Sequence, residues 1–223
     1  MKKEREEHNK NMETTRKNVV VGIDEAGRGA FFSRIYSAVV VANQDLIEDI
    51  QQQKLVVRDS KKMTPRQRNQ TYDYLLQHSL YGIGYCDEKE IDQYGITKCN
   101  VWCMHRALDH LVSQHPELVI DKILVDGVLF SPWREVPFEL VVRGEDHHPE
   151  IAMASIMAKT SRDRFLLELC EQFPELDKKY HIKKNKGYGT VQHRKGLQEH
   201  GKHDFHRQSF IHSYTKQHLQ FLT

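Results

Sequence analysis

Val19-Val20-Val21-Gly22-Ile23-Asp24-Glu25-Ala26-Gly27-Arg28-Gly29 joins a β-branched run to two adjacent carboxylates and then to a Gly-Arg-Gly loop. Val and Ile favour a strand, and a nearly unbroken apolar run suits one buried on both faces. A buried strand that ends in acid needs a partner for the charge, because an unpaired carboxylate there is costly. A bound cation is the simplest such partner. Glycines on either side of an arginine let backbone and guanidinium come close to an anion. Carboxylates around a divalent ion, beside donors for a phosphate, suit metal-assisted phosphodiester hydrolysis. Taken alone, the peptide could also be a solvated acidic turn.

Outward from this strand, Ile35 to Ala42 reads as a second one, joined to it by a short turn, so that the two form an antiparallel hairpin. Asp45 to Gln53 reads as a short polar helix. Thr64-Pro65 opens a longer one, with Thr as N-cap and Pro at the first helical position, running to about Gln77. Ser79 to Cys86 returns as a strand. Thr97 to Gln114 is helical, with Val101, Leu108, Leu111 and Val112 able to share a face. Lys122 to Val125 is a short buried strand ending at Asp126-Gly127, and Phe138 to Val142 another ending at Gly144-Glu145-Asp146. Pro149 opens a helix through about Gln172, whose small residues Ala152, Ala154, Ser155 and Ala158 allow close approach to a sheet. The segment from Lys178 reads as basic, loop-rich and weakly helical.

Three strands first, then strands alternating with helices, predict an α/β fold: a mixed sheet flanked by helices. Met1 to Lys17 reads as a charged tail without the apolar segment of a signal peptide. Residues 18–175 read as the catalytic core and 176–223 as a small basic cap of helix and loop. Acids recur at the C-terminal ends of strands (Asp24-Glu25, Asp126 and Glu145-Asp146), where open α/β sheets bind ligands. Four converging acids make a hard oxygen site suited to magnesium or manganese.

Charge distribution says more than the net charge of +2. Lys178 to Arg207 carries nine Lys or Arg against Glu199 and Asp204, and Lys54 to Arg68 carries six against Asp59 alone. Two basic segments about an acidic centre suit a polyanion laid across a metal site; solvated faces are the alternative. No apolar run reaches the length of a membrane span. Cys86, Cys99, Cys103 and Cys170 lack Cys-x-x-Cys spacing and read as free thiols of a reducing, cytoplasmic compartment. The sets His203, His206, His212 and Cys99, Cys103, His105 lack finger-like spacing, so structural zinc is not expected; Cys99 and Cys103, one helical turn apart, read as packing residues, and His206 as supporting the cap or touching substrate.

Six blocks, in order, resemble the type 2 ribonuclease H family (ribonuclease HII). They are Gly22-Ile23-Asp24-Glu25-Ala26-Gly27-Arg28-Gly29, Asp59-Ser60-Lys61-Lys62-Met63, Val125-Asp126-Gly127, Pro149 to Lys159 with Arg162-Asp163, Lys186-Gly187-Tyr188-Gly189-Thr190 with His193, and His206-Arg207-Gln208-Ser209-Phe210. The resemblance implies a ribonuclease H-like fold. It implies endonucleolytic cutting of RNA paired to DNA and of DNA 5′ of a single embedded ribonucleotide, with 3′-hydroxyl and 5′-phosphate products. Asp24, Glu25 and Asp126 fall on three of the family's four metal-binding acids, the Gly27-Arg28-Gly29 backbone on the loop that senses the 2′-hydroxyl, and Tyr188 on the tyrosine that stacks under the sugar at the junction. Two divalent ions, Mg2+ or Mn2+, are implied, with Asp24 bridging them. Lys61, Lys159, Lys186 and Arg207 are candidate phosphate contacts. Asp163, between Arg162 and Arg164, reads as a structural ion pair.

Two departures from the family pattern stand out. The fourth acid is Glu145 in Arg143-Gly144-Glu145 where the family has Lys-Gly-Asp, closer to the sister type 3 enzymes; Asp146 is its rival. The Gly-Arg-Gly loop runs into Ala30-Phe31-Phe32-Ser33-Arg34 rather than a Pro-Leu-Ala-Gly-Pro-like turn, which changes the available turn geometries. Arg34 reads as a surface arginine or a further phosphate contact. A type 3-like enzyme cutting only hybrids, a hybrid-binding protein without nuclease activity, and another polynucleotidyl-transfer enzyme on the same fold are the alternatives. The expected partner is nucleic acid, acted on by a monomer; Gln217 to Thr223 does not resemble a clamp-binding peptide.

Overall fold

The computed structural model describes residues 17–212. Five strands form one sheet: β1 (Lys17–Ala26), β2 (Ile35–Val41), β3 (Leu80–Cys86), β4 (Leu118–Asp126) and β5 (Phe138–Val141). Their order is β3-β2-β1-β4-β5. The β1-β2 and β2-β3 pairs are antiparallel, and the β1-β4 and β4-β5 pairs are parallel. This is the mixed α/β sheet expected. β1 runs further than its apolar residues: Asp24 and Glu25 lie inside the strand, paired with Ala38 and Ser37 of β2. What stops after Ile23 and Val125 is the parallel ladder with β4.

The helices are α1 (Gln44–Gln52), α2 (Pro65–His78), α3 (Glu88–Tyr94), α4 (Ile96–Gln114), α5 (Pro149–Gln172), α6 (Glu175–Tyr180), α7 (Ile182–Asn185) and α8 (Val191–His200). Helix α2 starts as its sequence predicts, with a Thr64 capping box and Pro65 in the first turn. The short α3, capped by Asp87, lies in a stretch without an expected element.

Alternation along β2 separates two cores. Val39 and Val41 face α4 with Met104, Ala107, Leu108 and Leu111. Ala38 and Val40 face the other way, with Met153, Ala154, Ile156 and Met157 of α5 and Leu46, Ile50 and Leu75 of α1 and α2. The buried face of α4 also takes in Cys99 and Cys103, whereas Val101 and Val112 are only half-buried. All four cysteines are buried free thiols. Helix α5 sits directly on β1: a Cβ at Gly22 would lie 2.4 Å from the backbone of Glu150 and Ile151. That approach places the start of α5 over the acidic end of the sheet.

The segment from Lys178 is more helical than its composition suggests. Helices α6, α7 and α8 close on the far half of α5 through Leu166, Leu169, Cys170, Leu176, Tyr180 and Ile182, with Phe32 in their midst. Phe32 is fully buried and bridges His206 in a single β-bridge. The divergent turn after Gly29 is therefore an apolar plug that joins the hairpin to the C-terminal helices. Of the charged tail, Lys17 opens β1 and the rest lies outside the described residues, as does Gln217 to Thr223. No helix among the described residues is long and apolar enough to cross a membrane.

Candidate active site

Ile23 and Val125, the last partners of the β1-β4 ladder, both point into the α4-side core. The next residue on each strand points the other way. Asp24 and Asp126 thus emerge side by side toward α5, where the Ser155 hydroxyl hydrogen-bonds the Asp24 carboxyl. Ser155 also contacts the Ser60 hydroxyl at 2.9 Å, tying α5 to the Asp59–Lys62 turn. The sequence marks Ser60 only as a member of the Asp59–Met63 block and Ser155 only as a small residue of its helix, with no site role for either. Glu25 is half-buried, and its backbone N–H donates to Asp24 Oδ1 at 2.6 Å.

The fourth acid is brought in by a backbone bond. Gly144 donates its N–H to Asp126 Oδ1 at 2.8 Å, which holds the Gly144–Asp146 turn against the end of β4. Glu145 interacts with Asp126, and its Oε2 is buried without a hydrogen-bond partner. Asp146 turns away, and Lys62 pairs with it at 3.0 Å. Of the two rivals, Glu145 joins the other acids.

Burial is the main cause that raises the pKa of Asp24 well above the ordinary aspartate value, with Glu25 and Asp126 adding repulsion. Burial also raises Glu25, opposed by Arg28 and reinforced by Asp126, and raises Glu145, again with Asp126 contributing. Burial works against the Lys61 ammonium, yet Asp24, Glu145, Asp59 and Asp126 together hold its pKa above the usual lysine value. Among the described residues no three metal-ligating side chains are already drawn together as a cage. The donor set nonetheless suits a hard divalent cation: all oxygen, mutually repelling, with one buried carboxylate oxygen unpartnered.

A cleft of about 490 Å³ opens on Asp24 and Glu25 and is walled by Gly27, Arg28, Gly29, Lys61, Lys159 and Tyr188. The two glycines of the loop differ. Gly27 has φ 92°, and a Cβ there would lie 2.0 Å from Arg162 Nε. Gly29 is exposed, and a Cβ there would meet nothing within 4 Å, so nothing in the fold itself requires glycine at that position. Tyr188 is 38 % exposed on the opposite wall. Lys159 donates to Asp163 at 2.7 Å, and burial lowers its pKa despite that partner. Asp163 is an ion-pair residue as read, but its partners are Lys159 and, at 3.7 Å, Arg68 rather than its sequence neighbours.

Two expectations need correction. Arg207 is no phosphate contact: it is fully buried and donates to the carbonyls of Gly27, Arg28, Ala30 and Ser33. Burial, and then the neighbouring Arg162 charge, pull its pKa down to about 9. Arg34 is neither a free surface charge nor aimed at the cleft; its guanidinium lies between the rings of Tyr85 and Phe165, at 4.2 and 4.1 Å. Lys186 stands outside the cleft lining, half-buried at φ 52°, with its carbonyl bound by Arg162. His206 supports the cap: it is fully buried and its Nε2 lies 3.0 Å from that of His193.

A model of the ribonuclease HII family matches residues 21–213. The ribonuclease HII of Christiangramia forsetii is 36% identical over 195 residues, covering 87% of this chain and 91% of its own. Among solved structures, ribonuclease H2 from Pyrococcus horikoshii superposes with a TM-score of 0.66 at 24% identity, over 85% of this chain and 92% of its own. Bst-RNase HIII, solved in complex with Mn2+, superposes with a TM-score of 0.65 at 18% identity, over 86% and 72%. These two share the ribonuclease H-like fold. With the family model spanning nearly all of the described residues and the relative matched along most of its length, the chain belongs to the ribonuclease HII family of metal-dependent ribonucleases.

Proposed function

We propose that this protein is an endonuclease that hydrolyses RNA in RNA–DNA hybrids and cuts DNA duplexes 5′ of a single embedded ribonucleotide. The observation that carries the reading is the clustering of Asp126 and Glu145 with Asp24 and Glu25, the two acids that line a cleft walled by Gly27-Arg28-Gly29 and Tyr188. Asp24, Glu25, Asp126 and Glu145 would hold two divalent ions, Mg2+ or Mn2+; Bst-RNase HIII, of the same fold, was solved with Mn2+. Such ions, when bound, supply an activated water and a stabilised leaving 3′-oxygen. Asp24, Glu25 and Glu145 are raised in pKa by burial and by repulsion from neighbouring carboxylates, which a cation relieves.

The protein's own groups select the cut. The 2′-hydroxyl is what distinguishes RNA from DNA at a given nucleotide. The exposed backbone of Gly29 can approach it because no side chain stands in the way. Tyr188 offers an aromatic face for the sugar on the other wall. Lys61 and Lys159 place cations along the phosphate path, and Arg28 adds a third at the mouth. Products are a 3′-hydroxyl and a 5′-phosphate. The enzyme acts as a monomer in the cytoplasm, in repair of misinserted ribonucleotides or removal of RNA primers.

The test is cleavage of two labelled duplexes, a full RNA–DNA hybrid and DNA with one ribonucleotide, in Mg2+ and in Mn2+, with Asp24→Asn as control. Cutting of both, 5′ of the lone ribonucleotide and lost in the variant, supports the reading. Cutting of the hybrid alone would mean a type 3-like enzyme. Binding of the hybrid without cutting in either metal would mean a hybrid-binding protein.

A further inference from the structure

Arg162 lies on the buried face of α5 and is 1 % exposed. A buried guanidinium is costly unless its donors are matched. Its hydrogen bonds go to backbone carbonyls of two separate loops. On one side Nε donates to Arg34 O at 3.0 Å and Nη2 to Phe32 O at 3.1 Å. On the other, Nη1 donates to Lys186 O at 2.8 Å. The guanidinium carbon also lies 5.5 Å from the centre of the Tyr188 ring. Gly27 presses on the same side chain, as the 2.0 Å approach of its would-be Cβ shows. One side chain therefore touches the glycine loop, the turn that follows it, and the loop and ring of Tyr188.

The divergent turn closes the same joint directly. Phe31 donates its backbone N–H to Gly187 O at 2.9 Å, and a Cβ at Gly189 would lie 2.6 Å from the Phe31 ring. The two walls of the sugar-reading cleft are thus braced against one another by Phe31 outside and Arg162 within. A planar fork of five donors can serve carbonyls in several directions at once; a lysine ammonium on its single stem cannot hold the same three in plane.

Resting on the reading proposed above, we infer that Arg162 is the positioning residue that sets the Gly27–Gly29 loop and Tyr188 in register, and so governs selectivity for a ribonucleotide at a junction with DNA. The cutting acids are held by other contacts: the β1-β4 ladder, Ser155 and the Gly144 N–H. Loosening Arg162 therefore acts on recognition of the junction before it acts on hydrolysis.

The experiment is a cycle of four proteins: wild type, Arg162→Lys, Tyr188→Ala and the double variant. kcat and KM are measured on the single-ribonucleotide duplex and on the hybrid, and folding is checked by circular dichroism and thermal unfolding. The expected result is that Arg162→Lys lowers the junction-to-hybrid ratio of kcat/KM by about tenfold or more, because small misplacements of a positioning group are costly. In the Tyr188→Ala background the same change moves that ratio less than about twofold, as for two residues acting through one contact. An equal fall on both substrates, or the same ratio change in both backgrounds, would show a merely structural arginine and overturn the inference. Arg162→Gln, which keeps two N–H donors on a planar amide without the charge, serves if the lysine variant does not fold; failure of both to fold overturns it too. A wild-type enzyme that leaves the single-ribonucleotide duplex uncut overturns the underlying reading instead, before any variant is compared.

Discussion

The N–H of Gly144 donates to Oδ1 of Asp126 at 2.8 Å, so the last residue of β4 fixes the turn that delivers Glu145. Two acids 19 positions apart by their residue numbers, Asp126 and Glu145, are thereby held in one electrostatic unit, in which Asp126 raises the cost of ionising Glu145. The neighbouring Asp146 is excluded from that unit because Lys62 holds it on the outside of the turn.

This arrangement separates the roles of adjacent acids. Glu145→Gln is expected to reduce metal-dependent cutting by about a hundredfold or more, the scale of losing one electrostatic group at a reacting centre. Asp146→Asn is expected to change it by less than about threefold, since it breaks only an exposed ion pair. Initial rates on the hybrid at saturating Mg2+ check both; comparable losses would return Asp146 to the ligand set.

Asp24→Asn trades activity for stability. At pH 7 the unfolded aspartate is ionised, whereas burial and the facing Glu25 and Asp126 oppose ionisation in the fold. Removing the charge, with the Glu25 N–H still able to find a side-chain oxygen, is expected to stabilise the metal-free protein by roughly 1 kcal/mol or more while abolishing cutting. Urea unfolding in a chelator measures it. A variant less stable than wild type would contradict the repulsive site.

The glycines of the loop are expected to fail in different assays. Gly27→Ala puts a Cβ at positive φ against Arg162, and about 2 kcal/mol or more of stability is lost. Gly29→Ala meets no protein atom, so stability stays within about 0.5 kcal/mol, while KM for ribonucleotide-containing duplex rises. Denaturation curves and steady-state kinetics on the same preparations distinguish the two.

The His193–His206 contact gives the cap a defined acid sensitivity. Burial, and then His193, depress His206 from 6.5 to about 3. The fold therefore holds it neutral, while the unfolded chain takes up a proton below about 6.5. The stability this group contributes is present above 6.5 and is lost progressively as pH falls toward 3. Between pH 7 and pH 5 the loss from this group is about 1–2 kcal/mol, and His206→Gln flattens that part of the profile. Urea midpoints at the two pH values are the measurement, and an unchanged slope in the variant would count against it.

Much of this molecule is legible along the chain. The valine run, the Thr64-Pro65 start of α2 and the small residues of α5 are local signals, and each element forms where they point. The acids announce themselves because carboxylates at strand ends have few other uses. Less legible was the extent of β1, since hydrogen bonding to β2 carries the strand through Asp24 and Glu25 where side-chain polarity suggests an end. The C-terminal helices were underread because their apolar residues are few and pack on Phe32, far away in the chain.

By itself, then, the sequence determined the chemistry on offer: which strands carry acid, which loop carries glycine, and that the blocks are those of a ribonuclease HII. Tertiary structure alone decided which charges are used. In the sequence Arg207 reads as a phosphate contact and Arg162 as an ion-pair neighbour of Asp163, yet both are sealed inside on backbone carbonyls, and the Arg207–Gly27 bond spans 180 positions. The physical reason is that propensity and periodicity are set by near neighbours, whereas the fate of a guanidinium depends on whether distant carbonyls converge to satisfy it. Here the turn around Phe31 and Phe32 aims the carbonyls of Ala30, Phe32 and Ser33 inward, where the Arg207 and Arg162 guanidiniums donate to them.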